Sequence, residues 1–361
     1  MAATCQASRE GAEGAEIRSA PRTDCYACGT PGQILHEHLR DRLFGTPGKW
    51  NIRRCSNPEC KLAWLDPMPV VEDIPKAYKS YYTHDEDPAA PDNLARRVYH
   101  VIRDAYIASR YRHEKAGISG WARFLGCLIY LNPIRRANID GNIFFLRSKQ
   151  NGRLLEVGCG NGATLETLES LGWQVEGVDF DPAAVERARR RGLQVHLGTL
   201  SGQGLPAGSF DVVVSNHVIE HVPDPVDLLR ECHRVLKPGG NLVVITPNIE
   251  GWGHRIYGAD WRGLEPPRHL YLFTVGSLAA LSARAGFAAC KCRSMVRANG
   301  VLLASRILQR AGKVDLRKPS FALRLWAEAT GLAQWVGLFV DRQAGEEIVL
   351  SCSKGDSVGA M

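Results

Sequence analysis

Apolar and polar positions change rhythm in short blocks between residues 150 and 295. Residues 154–157 (Leu-Leu-Glu-Val) form an apolar run of strand length. Gly158, Gly160 and Gly162 follow at every second position, and Leu165, Leu168 and Leu171 then share one helical face. This pattern predicts a strand, a glycine-rich turn and a helix. Further short apolar runs at 174–178, 193–197, 210–215 and 241–246 predict strands two to five, the last entered through the turn Lys237-Pro238-Gly239-Gly240. A helix over 277–285 and strands over 288–296 and 346–353 complete the set. The fold class is therefore α/β, built from βαβ units. Outside it, the pattern is helical over 94–147, with Val98, Ile102, Ala105 and Ile107 apolar among arginines. It is helical again over 300–342, with Leu302, Leu303, Ile307, Leu308, Leu323, Leu325 and Trp326 apolar.

The glycine turn is the first candidate for chemistry. Glycines there let a ligand approach the backbone, and a helix N-terminus presents unpaired N–H groups. The spacing G-x-G-x-G differs from the dinucleotide fingerprint. Asp179 ends the second strand about 20 residues beyond Gly158, where a βαβ unit carries the acid that takes a ribose hydroxyl. Asp181 precedes Pro182 and reads as a helix N-cap, which leaves Asp179 for a ligand.

The runs LLEVGCGNG, GVDFDP, FDVVVSNHVIEHVPDP and LKPGGNLVVITPN, in that order, resemble the successive motifs of class I S-adenosylmethionine (SAM)-dependent methyltransferases. The resemblance implies a Rossmann-like seven-stranded sheet with an antiparallel last strand. It implies SAM at the carboxyl ends of the strands. Glu156 would orient the methionine amine, and Gly158, Cys159, Gly160 and Gly162 would form the loop beneath it. Asp179 would take the ribose, with Phe180 beside the adenine and Asn216 at the end of strand four. Many members carry an acidic residue after strand three; here the chain reads Gly198-Thr199-Leu200.

The N-terminal stretch carries a different signal. Cys25 and Cys28 form a C-x-x-C knuckle, and Cys55 and Cys60 form a second pair. Four thiolates in two close pairs suit structural zinc better than free thiols or a disulfide, and leave no open position for zinc catalysis. A unit this small has little core of its own and would draw folding energy from the metal. The ribbon, the Asp66-Pro67-Met68-Pro69 turn, Tyr78, Tyr81 and Tyr82, and the later Pro267-Arg268-His269-Leu270 and Ala285-Gly286-Phe287 runs resemble a recurrent architecture. It occurs among methyltransferases of sugars, glycans and lipids, although Lys61-Leu62 stands where many have Gly-Leu. The expected division is a disordered tail over 1–20, a zinc ribbon over 21–70, a Tyr-rich and basic helical linker over 71–150 and a SAM-binding domain over 151–356. That domain carries an aromatic insertion at 248–273, expected as an acceptor-binding lid, and a helical insertion at 300–342.

Composition adds three constraints. A hydrophobic fraction of 45% supports a real core. No long uncharged apolar run predicts a membrane span. The eleven cysteines lack the spacing of a secreted disulfide framework, so a reducing cytoplasm is expected, and Cys290 and Cys292 are read as structural. The net charge is +7, and the segment from Arg96 to Arg136 holds nine Lys/Arg against two acidic residues. Such a segment fits an anionic partner or a solvated helix face. Within it, residues 121–131 form a short apolar stretch with basic flanks. The preferred reading is a helix packed on the core, with peripheral membrane contact through 94–136 as the alternative.

Methyl transfer needs alignment, and a hydroxyl acceptor needs a base. His269 on the insertion is the first candidate and His217 the second, with His221 and Glu220 beside them. His217-Val-Ile-Glu220-His221 resembles the Glu-x-x-Glu-His of ubiquinone-pathway O-methyltransferases, which implies a divalent metal near the acceptor; the first Glu is here His217. The expected function is methyl transfer to a hydroxyl, or to nitrogen or carbon, of a sugar, glycan or other small metabolite. RNA methylation and a non-catalytic zinc-ribbon scaffold are the alternatives. Ser215-Asn216-His217-Val218, where an Asn-Pro-Pro-Tyr type would grip a base amine, disfavours a nucleic-acid partner.

Overall fold

The computed structural model describes residues 16–78, 94–112, 120–149, 151–297, 299–314 and 320–355. The N-terminal part holds β1 (Ser19–Ala20), β2 (Gly32–Leu39), β3 (Trp50–Cys55), β4 (Ala63–Asp66) and β5 (Met68–Pro69), then a 3-10 helix over Val71–Tyr78. β1 pairs antiparallel with β5, so part of the expected tail belongs to the fold. Residues 1–15 of that tail, and Tyr81 and Tyr82, lie outside the described residues. The next helices are α1 (Leu94–Tyr111), α2 (Gly120–Gly126), a 3-10 turn over Cys127–Leu131, and α3 (Pro133–Asn142). Asn132 caps α3 by accepting from the Arg135 N–H, with Pro133 at its first position.

The second half follows as β6 (Arg153–Val157), α4 (Ala163–Ser170), β7 (Gln174–Asp179), α5 (Pro182–Arg190), β8 (Val195–Leu197), β9 (Phe210–Asn216), α6 (Pro225–Val235) and β10 (Leu236–Pro247). The insertion contributes α7 (Trp252–Tyr257) and β11 (Tyr271–Leu272). Then come α8 (Val275–Arg284), β12 (Ala289–Met295), α9 (Asn299–Ala311), α10 (Phe321–Gly337) and β13 (Glu347–Ser353). The large sheet has the order β12-β13-β10-β9-β6-β7-β8. β6 to β10 run parallel, and β13 runs antiparallel between β10 and β12. Helices cover both faces, which is why the central strands are continuous apolar runs rather than alternating ones. The expected caps hold locally: the Asp181 side chain accepts from the Ala183 and Ala184 N–H groups at the start of α5.

Two apolar clusters flank this sheet. One joins Trp50, Ile52, Trp64 and Leu65 of the N-terminal strands to Leu229 and Val235 of α6 and Leu278 and Leu281 of α8. The N-terminal unit therefore shares its core with the large sheet. Its own sheet has the order β11-β4-β3-β2, with Tyr271 opposite Trp64 and Leu272 opposite Ala63. The insertion thus supplies a strand to the ribbon. The second cluster joins Tyr106, Ile107, Ile139 and Phe144 of the linker helices to Leu165, Leu168 and Val185 on the other face.

Three expectations change here. The aromatic insertion, expected as an acceptor-binding lid, is largely internal: Trp261, Leu264, Tyr271 and Phe273 are all buried. Its aromatics fill the seam between the ribbon and the large sheet, where packing removes them from water. Residues 121–131 pack on the core along one side only: Ile129 is buried in the second cluster, but Trp121, Phe124, Leu128 and Leu131 are exposed, as is Leu325 of α10. Finally, Cys290 forms a disulfide with Cys352, its direct cross-strand partner on β13, so the expectation of reduced thiols does not extend to this pair. No described helix is long and apolar enough to cross a membrane.

Candidate functional site

The carboxyl ends of β6, β7 and β9 meet around the glycine loop. Gly158, Gly160 and Gly162 all take left-handed backbone conformations. A Cβ on Gly158 would stand 2.1 Å from Val218 Cγ2, and one on Gly162 would stand 2.4 Å from Leu193 Cδ1. A Cβ on Gly160 would meet nothing within 4 Å, so the middle of the loop borders open space. Cys159 does not face that space. Its Sγ packs against Gly177, and the residue is buried among Leu165 and its neighbours, so only its backbone can serve a ligand there.

Glu156 is 3% exposed, and its Oε2 has no hydrogen-bond partner. Burial, and then the charge of Asp179, push its carboxyl up to about 8. A buried carboxylate of this kind calls for a cation. Asp179 was expected to be free for a ligand, yet its Oδ2 accepts from the Gly160 N–H at 2.8 Å and its Oδ1 from the Asp181 N–H at 2.9 Å. It braces the loop, and only its remaining lone pairs can take hydroxyls. Burial outweighs those hydrogen bonds and raises its pKa. Phe180 is about half exposed and meets the Tyr78 ring edge-on at 5.2 Å. Asn216 Oδ1 accepts from Arg297 Nη2 at 3.2 Å. The residues present thus fit SAM: a buried anion for its amine, an open glycine loop, and an acid and an aromatic at the end of β7.

The histidines behave differently from expectation. His217 has φ 55°, which turns the chain out of β9 toward the end of β13. Its Nδ1–H donates to Glu220 Oε1 at 3.1 Å and its Nε2–H to Glu347 Oε1 at 3.0 Å. Burial opposes a charge on the ring, but the two carboxylates outweigh it and raise His217 to about 9. An imidazolium that donates from both nitrogens is not a base, so that expectation is withdrawn. His269 is buried, and its Nδ1–H donates to Gly263 O at 2.7 Å. Burial lowers it to about 4, against the opposing charge of Glu265, which makes it a weak base too. His221 is only half-buried. Its Nδ1 lies 3.0 Å from both Arg268 O and Tyr78 Oη. A carbonyl only accepts, so Nδ1 carries the proton and Nε2 keeps the lone pair.

Glu220, His221 and His269 each offer a ligand atom within 4.8 Å of the other two. This trio, rather than His217-Glu220-His221, is the set that could hold a metal beside the loop, because His217 is engaged with Glu347. In the N-terminal unit, Cys25, Cys28, Cys55 and Cys60 lie equally close together. The Cys25–Cys60 and Cys28–Cys55 sulfurs are 3.7 and 3.4 Å apart. A zinc-centred tetrahedron with bonds of about 2.3 Å has edges of about 3.8 Å, so the four thiols fit structural zinc. Gly29 and Lys61 take left-handed conformations just after the two knuckles, so lysine occupies the position where the first knuckle has glycine. Thr274 Oγ1 at the start of α8 donates to Cys60 O at 2.9 Å, which ties the second knuckle to the large sheet's helices.

Residues 133–291 match a family model described as a methyltransferase domain. That stretch of the chain is similar to methyltransferase domains. Over 125 residues it is 40% identical to a ubiquinone biosynthesis O-methyltransferase of Xanthomonas oryzae pv. oryzae, covering 33% of this chain and 51% of the relative. A protein of the same description from Xanthomonas axonopodis pv. citri is 38% identical over the same length. The chain thus spans about half the length of the curated relatives it matches. Among solved structures, phosphoethanolamine N-methyltransferase 2 of Haemonchus contortus with S-adenosyl-L-methionine is 18% identical, at a TM-score of 0.46 over 86% of this chain and 70% of that one. A SAM-dependent methyltransferase of Archaeoglobus fulgidus is 20% identical, at a TM-score of 0.43 over 64% of this chain and 99% of that one. The matched domain begins at α3 and ends inside β12, so it contains the glycine loop, His217, Glu220, His221 and His269 but not the four-cysteine unit.

Three residues at this site escape the sequence reading: Tyr78, Arg297 and Glu347. Tyr78 comes from the N-terminal half, and Arg297 and Glu347 from the far end of the sheet. Arg297 Nε stands 2.9 Å from Glu347 Oε2. Nothing local marks them. The one signal was the Tyr-rich segment before the methyltransferase domain, which named Tyr78 without a role.

Proposed function

We propose that this chain is a SAM-dependent methyltransferase that transfers a methyl group to an oxygen of a small molecule, a sugar or glycan hydroxyl included. Nitrogen or carbon acceptors are less favoured. Glu156 carries the reading: a fully buried carboxylate with an unpartnered oxygen, beside an open glycine loop at the end of β6, fits the ammonium of the methionine moiety. When bound, SAM supplies an electrophilic methyl on a sulfonium.

The rest is the work of this chain's residues. The Gly158–Gly162 loop, braced by Asp179, sets where the methionine end sits. Phe180 and Tyr78 border the adenosine side. His221 is the candidate base, because its Nδ1–H is committed and its Nε2 lone pair can take the hydroxyl proton as the new bond forms. Arg268 O and Tyr78 fix that tautomer and orient the ring. The array of half-buried His217 with the buried Glu220 and Glu347 holds the floor behind it and does not accept the proton. An oxygen acceptor is supported by the similarity to ubiquinone biosynthesis O-methyltransferases over this stretch. The four-cysteine unit supports a structural zinc, with no role in the chemistry.

Isothermal titration of the purified chain with SAM tests the first half; one site per chain is expected, and a folded chain that does not bind SAM would remove the reading. An acceptor screen that starts with nucleotide sugars and catechol-type hydroxyls tests the second. With an acceptor found, His221→Gln is expected to lower kcat by about 10²–10⁴ while SAM still binds. Near-normal turnover would move the base elsewhere.

A further inference from the structure

The outer face of α10 is uncovered. Phe321, Leu325, Leu332, Val336 and Phe339 are exposed, and so are Ala322 and Ala329 between them. From Ala322 through Leu325, Ala329, Leu332 and Val336 to Phe339, the steps alternate strictly between three and four residues. That is a period of about 3.5, the spacing of a seam that a second helix fills. The last turn reaches Phe339 in helical register: Leu338 N donates to Gln334 O at 3.1 Å and Asp341 N to Gly337 O at 2.8 Å. The inner side holds the helix in place. Ala327 and Gly331 are buried, and the Gln334 side-chain amide donates to Ala344 O and Glu346 Oε1, both at 2.6 Å. A Cβ on Gly337 would stand 2.5 Å from Trp252 Cζ2. The Phe339 ring meets Trp335 edge-on at 5.2 Å between centroids.

The seam is complementary to itself. An antiparallel twofold axis between Thr330 and Gly331 sets Ala322 against Phe339 of a second copy, Ala329 against its Leu332 and Leu325 against its Val336. Each layer then joins a small side chain to a large one, or two of middle size, so the layers fill evenly. A parallel pair would instead set Phe339 against Phe339 and Ala329 against Ala329. We propose that α10 is a homodimer interface, packed antiparallel on the α10 of a second copy. Such a contact is isologous and closes at two. The two phenylalanines are 82% and 75% exposed and leave about 300 Å² in water; the leucines, valines and alanines add about as much again. Two copies would therefore bury about 1,200 Å², the lower edge for a specific interface, which sets the dimer in the micromolar range. Charge favours a second copy over a lipid surface. Arg324 and Glu328 are the only charged residues of α10 and they cancel, whereas helices that lie on membranes carry a basic polar face. The inference does not depend on the methyl-transfer reading.

Sedimentation velocity of the full chain across the micromolar range tests it, and a monomer–dimer equilibrium is expected. Leu332→Glu/Phe339→Glu should weaken the dimer at least about 100-fold with an unchanged circular dichroism spectrum, because both side chains are exposed in the single copy. The register has its own test. Ala329→Lys and Leu332→Glu should each weaken self-association, and mixing the two variants should restore a dimer, because the antiparallel alignment sets the introduced lysine against the introduced glutamate. Four outcomes would overturn the proposal: a wild-type monomer throughout, a dimer that the double variant does not weaken, variants whose mixture stays monomeric, or a monomer that binds phosphatidylglycerol vesicles and loses them in the double variant. The last would assign the face to a lipid surface.

Discussion

Arg268 is the sharpest test of how the parts of this molecule are joined. It is 1% exposed yet charged. Nη1 and Nη2 donate to Asp41 at 2.9 and 3.0 Å, on the chain between β2 and β3. Nε donates to Glu265 Oε1 at 3.0 Å, and Nη1 also reaches Ala77 O at 3.1 Å, beside Tyr78. The guanidinium lies 4.4 Å from the Phe44 ring centroid. One side chain therefore ties the ribbon, the Tyr78 segment and the insertion together. Arg268→Met keeps much of the volume and leaves two buried carboxylates behind. Breaking a buried pair in this way costs about 3–5 kcal/mol. The lower end applies here, because Asp41 still accepts the Leu43, Phe44 and Thr46 N–H groups and Glu265 still has Arg262. Urea unfolding followed by tryptophan fluorescence should show a loss of about 3 kcal/mol. Adding Asp41→Asn should return about 1–2 kcal/mol, since the orphaned charge is then gone. A loss below about 1 kcal/mol, or a double variant as unstable as the sum of the two singles, would refute the account.

Three further outcomes follow from the site. Glu156→Gln keeps the shape but removes the buried charge, and should weaken SAM binding about 10–100-fold by titration with the fold intact; Gly158→Ala should abolish it, because the added Cβ meets Val218 at 2.1 Å in a left-handed backbone. The His217 pKa is raised in the fold, so its stabilisation is full below the ordinary histidine range and is lost as pH rises through about 9. With the side chain 35% exposed, solvent screening reduces that contribution to about 1–2 kcal/mol; melting temperature should fall between about pH 7 and 10 in the wild type and stay flatter in His217→Gln, and parallel curves would count against the bridge. Chelation should remove one zinc per chain by native mass spectrometry and lower the melting temperature, and Cys55→Ser should do the same without chelator; a metal-free protein of full stability would end the zinc reading.

What could be read in advance was local. Strands β6, β7, β9 and β13 lie within a residue or two of expectation, because each is a buried apolar run bounded by turn chemistry. Glu156, the three glycines and Asp179 sit on one βαβ unit, so their common neighbourhood follows from chain continuity. The histidines were different. His217, His221 and His269 share a residue type, and no spacing distinguishes a ring clamped between two carboxylates from one with a free lone pair. His217 became a cation because Glu347, 130 residues away, begins β13, which lies one strand beyond the neighbour of β9. His269 became a weak base because the insertion around it is buried.

The sequence by itself determined the α/β class, the glycine loop with its acids, and the two cysteine pairs, since each depends on groups close along the chain. Tertiary structure decided the rest. It joined the insertion to the ribbon through β11, brought Tyr78 and Arg297 to the site, paired Cys290 with Cys352, and turned the 121–131 stripe outward. Those results depend on which surfaces meet when elements far apart in the chain bury their apolar faces, and residue spacing carries no record of that.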